Sequence, residues 1–153
     1  MNPFILKREQ FVPRPRDEVF AFFDRPENLA EITPKDLGFH ILTPTPIEMQ
    51  RGAVIDYTIR PFPGLRLHWR TLITAYDPPH RFVDEQIKGP YAFWHHTHTF
   101  EEVEGGTLIR DEVRYLLPFG TLGNRLGAGL VRNRVEHIFN HRTQVIRKQF
   151  GIK

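Results

Sequence analysis

The stretch TLIRDEVRYLLPFGTLGNRLGAGLVRNRVEHIFNHRTQVI, residues 107–146, changes its hydrophobic period part-way along. Before Pro118 the residues alternate, with Asp111, Val113 and Tyr115 on one side and Arg110, Glu112 and Arg114 on the other. That is the two-residue period of a strand, and Pro118 ends it. Beyond FGTLG, residues Leu126, Leu130, Val131, Val135, Ile138, Phe139, Arg142, Val145 and Ile146 recur at spacings of three and four. They form one apolar stripe with a single arginine inside it, which predicts a helix of about 25 residues. A helix that long and amphipathic needs a broad apolar surface to lie on.

The preceding sequence supplies that surface. ILKREQFVP reads as a first strand stopped by Pro13 and Pro15, and RDEVFAFFDRPENLAEITP as two short helices, the second starting near Pro26 and ending at Pro34. From Gly38 to about Leu117 the pattern is strands. AVIDYTI alternates, RPFPG turns, and LRLHWRTLITAY places Leu65, Leu67, Trp69, Thr71 and Ile73 on one face. DPPH turns into RFVDEQIK, GPY turns into a strand from Ala92, and EGG at 104–106 marks a hairpin. The order is one strand, two short helices, about six antiparallel strands and a long helix. Strands and helices segregated in this way predict an α+β fold in a single domain, residues 1–153.

Alternation also sorts the histidine-rich strand GPYAFWHHTHTF, residues 89–100. Trp94, His96, His98 and Phe100 share one side; His95, Thr97, Thr99 and Glu101 share the other. Counting across the turns puts Asp111, Val113 and Tyr115 beside the first set from one neighbour, and Asp84 and Gln86 from the other. The opposite side collects His68, Arg70, Arg81, Glu85, Arg110, Glu112 and Arg114, a charged ladder suited to water. The inner side then holds Trp69, Phe82, Asp84, Gln86, Trp94, His96, His98, Phe100, Asp111 and Tyr115 as candidate ligand-binding residues. Aromatic walls with a few convergent polar groups describe a small-molecule pocket. A purely structural hydrogen-bonded network under the helix would use the same polar residues.

Composition narrows the function classes. The chain has 153 residues, no cysteine and no apolar run of membrane-spanning length. Disulfides and thiolate metal sites are excluded. The start MNPFILKREQ has neither signal-peptide nor anchor character, so the expected location is cytoplasmic. From Thr121 to Lys153 there are seven basic residues against one acid, Glu136. Without interleaved exposed aromatics or a known motif this reads as a solvated face, and no nucleic-acid partner is expected. Peripheral membrane contact through Arg125, Arg132 and Arg134 is the other use of that charge. The sequence does not speak to oligomeric state.

FVDEQIKGPYAFWHHTHTF, GGTLIRDEVRYLLPFGTLG and the helix containing VEHIFNHR, together with RPRDEVFAFFDRPENLAEITP, resemble the SRPBCC superfamily over essentially the whole chain. That group includes START lipid-transfer domains, birch-pollen-allergen-like proteins and polyketide cyclase/dehydrase and lipid-transport proteins. The resemblance implies a helix-grip fold: about seven antiparallel strands around the long C-terminal helix, with two short helices after the first strand. It also implies a cavity between sheet and helix, with its mouth near FGTLGNRLGAGL, where glycines serve either a gate or close packing. No position matches a catalytic residue of the aromatase/cyclase members.

Three chemistries remain open on these residues. A binder would hold a hydrophobic or aromatic small molecule or lipid, with no cofactor, the polar groups orienting its head. A cyclase/dehydratase-like enzyme would use His96 as general base, oriented by Asp84, with Tyr115 supplying a proton. A metal site would use the His96-x-His98 chelate, with Gly89 and Glu102 approximating a cupin spacing; the long helix speaks against that architecture, and no metal is expected.

Overall fold

A computed structural model describes residues 2–62 and 64–152. Seven antiparallel strands form one sheet: β1 (Phe4–Val12), β2 (His40–Ile41), β3 (Val54–Phe62), β4 (Leu65–Asp77), β5 (Arg81–Lys88), β6 (Phe93–Val103) and β7 (Gly106–Leu116). Strands β2 to β7 meander in sequence order, and β1 returns to pair with β7, giving the order β1-β7-β6-β5-β4-β3-β2. Register shifts within β3–β4 and β4–β5 mark bulges, which increase local twist and curl the sheet. Helix α1 (Arg16–Phe23) and short 3-10 turns at Pro26–Ala30 and Lys35–Leu37 follow β1, and helix α2 (Gly120–Gln149) closes the chain. This is the helix-grip fold. The RPFPG turn falls partly outside the described residues.

Helix α2 is longer than its periodicity predicts and begins at Gly120, directly after the strand. Gly123 permits that tight start: a Cβ there would meet the Pro118 carbonyl oxygen at 1.9 Å. This supports the close-packing role for that glycine. The apolar stripe turns inward from Val131, which lines the interior, and is buried at Val135, Phe139, Arg142 and Ile146. Leu126 and Leu130 are corrected from inward to outward, with 78% and 56% of their surface exposed.

The interior has two apolar clusters. One joins Val12, Val19, Phe20, Phe23, Phe82, Phe100, Ile109, Ile146 and Phe150 beneath α1 and the end of α2. The other joins Ile59, Trp69, Trp94, Val113, Tyr115, Leu117, Val135 and Phe139. The outer face of the sheet carries the charged ladder expected of it. Asp56 takes His68 and Arg70, Glu85 takes His95, and Arg110 pairs with Glu9 and Glu101. These half-buried to exposed pairs each contribute little.

Candidate functional site

The antiparallel register places Asp84 opposite His96, and His98 opposite Asp111. The side chains then bond diagonally. His96 Nε2 donates to Asp111 Oδ1 at 2.8 Å, and His98 Nε2 donates to Asp84 Oδ2 at 2.6 Å. The expected Asp84–His96 pair is therefore corrected: His96 Nδ1 lies 3.8 Å from Asp84 Oδ2, outside hydrogen-bond range. Asp111, not Asp84, orients His96. Arg142 enters from α2, with Nη2 3.2 Å from Asp111 Oδ1 and 3.5 Å from His98 Nδ1. Its guanidinium lies over the rings of Phe23 and Phe139, 5.0 and 5.5 Å from their centroids.

This polar layer sits between the two apolar clusters. His98 stacks on Phe82 with centroids 4.1 Å apart, while His96 meets Phe139 edge-on at 5.6 Å. The two imidazoles stack on each other at 3.6 Å, so a second positive charge would face the first at close range. Burial foremost, and then the neighbouring His96, push His98 down to about 4. Burial opposes ionisation of Asp111, but Arg142 and the His96 hydrogen bond outweigh it and hold the carboxyl well below the usual range. Asp84 is lowered too: burial opposes this, and the His98 hydrogen bond with the nearby charges overcomes it.

A cavity of about 340 Å³ opens between sheet and helix. Of the candidate residues, Trp69, Phe82, Asp84, Trp94, His96 and His98 line it. Four other candidates lie elsewhere. Gln86 is consumed locally, bonding the Tyr91 backbone through both amide atoms. Phe100 packs in the cluster beneath α1, and Asp111 sits behind the imidazoles. Tyr115 faces a separate small recess with Phe4, Arg132 and Val135, so it is not placed to donate a proton into the main cavity. The structure adds Tyr57, Thr71, Tyr91, Ile138, Phe139 and Arg142 to the wall. Arg142 had a visible signal, a charge inside an apolar stripe; Tyr57 shares the inward alternation of β3. Among the described residues, Trp69 Nε1 and Arg142 Nε are buried without a hydrogen-bond partner, leaving two N–H donors unsatisfied at residues of this wall.

Asp84, His96 and His98 offer donor atoms within 4.8 Å of one another. An imidazole coordinates along its ring plane. Rings stacked at 3.6 Å and inclined by only 27° direct their lone pairs side by side rather than to one point. Together with Asp111, these residues fit two carboxylate–imidazole pairs, His96–Asp111 and His98–Asp84, better than a shared ion. Glu102, the acid in the cupin-like spacing, is exposed and pairs with Arg16 at 3.6 Å.

A family model described as polyketide cyclase/dehydrase and lipid transport matches residues 12–142. The chain belongs to this family. It lies within the SRPBCC superfamily, whose members bind hydrophobic ligands or act as cyclases. Among solved structures, an aromatase/cyclase from Streptomyces sp. R1128 superposes with a TM-score of 0.75 at 13% identity, covering 97% of this chain and 93% of that one. The major latex-like protein 151 from Panax ginseng gives 0.67 at 12%, covering 98% and 99%. A nucleoside-diphosphate sugar epimerase from Corynebacterium glutamicum gives 0.66 at 25%, covering 94% of this chain and 28% of that one. These likenesses establish the fold. No curated protein sequence matches the chain.

Proposed function

We propose that this family member binds an apolar or aromatic small molecule or lipid in the cavity, with one polar group of the ligand seated against His96 Nδ1 and Asp84 Oδ2. The observation that supports it is the make-up of the wall: most of it is aromatic and aliphatic, Asp84, His96, His98 and Arg142 form one polar cluster, and Arg25 and Arg134 also lie on the lining. The cavity volume of about 340 Å³ lies within the range of small-ligand sites. Bonding assigns the tautomers. A carboxylate only accepts, so the hydrogens of His96 and His98 sit on Nε2. His98 Nδ1 faces Arg142, whereas His96 Nδ1 has Asp84 beyond bonding distance. A hydroxyl oxygen lying beside these two acceptors, 3.8 Å apart, donates to one and remains within reach of the other.

Native mass spectrometry and thermal shift against a panel of aryl and acyl compounds, with matched members lacking a hydroxyl, test this. A ligand at a hundredfold excess over its Kd stabilises by about 2.7 kcal/mol, a shift of several degrees. Trp94→Ala weakens uptake, and His96→Ala removes the preference for hydroxylated members. A panel with no binder overturns the reading.

The free Nδ1 also supports a second reading. It is a base oriented through Nε2 by a carboxylate, the arrangement used in general-base catalysis, with ring closure or dehydration as the reaction class. His96→Ala then abolishes turnover while hydrophobic uptake through the aromatic wall persists. Uptake with no turnover of any hydroxylated aryl substrate removes this second reading alone.

A further inference from the structure

The outer face of the first half of α2 carries a row that no described residue covers. Leu122, Leu126 and Leu130, spaced four residues apart and hence on one face, are 64%, 78% and 56% exposed. Phe119 just ahead of them is 87% exposed and held at a φ of 68°, a conformation costly for a non-glycine residue. Arg125 and Arg132, both exposed, lie two turns apart along one flank of the row. No acid occurs between Glu112 and Glu136. A protein surface rarely leaves so large a contiguous apolar strip open without a use for it.

We propose that this strip is a docking surface for an anionic membrane. An outward apolar row with basic residues at its border is the pattern of a helix that lies in the headgroup region with its leucines in the acyl boundary. Charge decides between occupants. A second copy of the chain laid symmetrically on the row brings arginines against arginines, with no acid in the segment to neutralise them. Anionic headgroups complement the same border. The surface adjoins the cavity: Leu117, Pro118 and Val131 of this segment line it. A docked molecule therefore holds that side of its cavity toward the bilayer. Among the described residues no helix is long and apolar enough to cross a membrane, and the contact proposed is a peripheral one. It does not depend on which ligand the cavity takes.

Density-gradient flotation with vesicles of phosphatidylcholine alone, and of phosphatidylcholine mixed with phosphatidylglycerol, tests the proposal with the full chain. The protein floats with the mixed vesicles, and raised salt weakens the binding. Leu126→Ser with Leu130→Ser abolishes flotation in both. Arg125→Gln with Arg132→Gln lowers partitioning onto the anionic vesicles roughly tenfold while leaving weak binding to the neutral ones unchanged. Both pairs are surface changes, and unaltered tryptophan fluorescence confirms the fold. Absence of flotation overturns the proposal, as does flotation indifferent to the leucine pair. A dimer in light scattering that the leucine pair dissociates also overturns it, since the strip then belongs to a second copy.

Discussion

Replacing Arg142 with methionine isolates the electrostatic part of the helix-to-sheet contact. The arginine is 5% exposed, lies 3.2 Å from Asp111 and packs against Phe23 and Phe139. Methionine keeps the apolar stem between those rings and removes the charge, so Asp111 retains His96 as a partner and loses its cation. Removing one member of a buried ion pair costs about 3–5 kcal/mol, because the remaining charge stays desolvated. For a chain of this length that lowers Tm by roughly 6–20 °C. Adding Asp111→Asn to Arg142→Met takes the stranded charge away while leaving an amide oxygen to accept from His96 Nε2. The double variant recovers more than half of the loss, a coupling of about 2 kcal/mol or more. Urea denaturation followed by tryptophan fluorescence measures both, since Trp69 and Trp94 are buried at 6% and 9% exposure. A single variant that loses less than about 1 kcal/mol refutes the reasoning. A double variant whose loss equals the sum of the two singles refutes it equally, because the pair is then not acting as a unit.

Stability also carries a pH signature. Folding lowers His98 from 6.5 to about 4, so within that window the unfolded imidazole takes up a proton that the folded one refuses. Its contribution is therefore complete above pH 6.5 and is lost as pH falls toward 4, a change on the order of 3 kcal/mol. Asp84 and Asp111, held below the carboxylate range, keep their contributions until the solution is more acidic still. His98→Gln flattens the first decline and weakens the Asp84 part of the second, leaving the part carried by Asp111, which Arg142 and His96 hold; urea midpoints across pH measure both, and a profile unchanged by the substitution contradicts the assignment. Two glycines make an opposing pair. A Cβ on Gly106 would lie 2.2 Å from the Val12 carbonyl oxygen, whereas one on Gly129 meets nothing within 4 Å. Gly106→Ala destabilises by about 2 kcal/mol or more through that clash, while Gly129→Ala, inside a helix, stabilises by about 0.5–1 kcal/mol. Thermal melts that show the two moving the same way contradict the packing described.

Strand parity made the inward turn of His96 and His98 legible, because a sheet with one buried face leaves no other choice. The switch of period after Pro118 gave the layer order for the same reason. Which imidazole meets which carboxylate was not legible. Register fixes Cα neighbours, while the bonds run diagonally and follow rotamers chosen by the stacking on Phe82 and by Arg142. Tyr115 illustrates a second limit. It faces inward as alternation requires, yet the curl of the sheet sends it to a different recess from its neighbours. Leu126 and Leu130 illustrate a third, since periodicity locates a stripe without saying how far along the helix the sheet continues beneath it.

Because successive residues of β6 point to opposite sides, the chemistry of the cavity hangs on an even count. A one-residue slip of β6 against β5 and β7 would exchange Trp94, His96, His98 and Phe100 for His95, Thr97, Thr99 and Glu101. The cavity would then be lined by one imidazole and two threonines in place of Trp94, His96 and His98, and both carboxylate partners would be stranded. Chains descended from a common ancestor with this one can lengthen the connections beyond the ladder freely. Within it they can accept only changes that preserve odd and even.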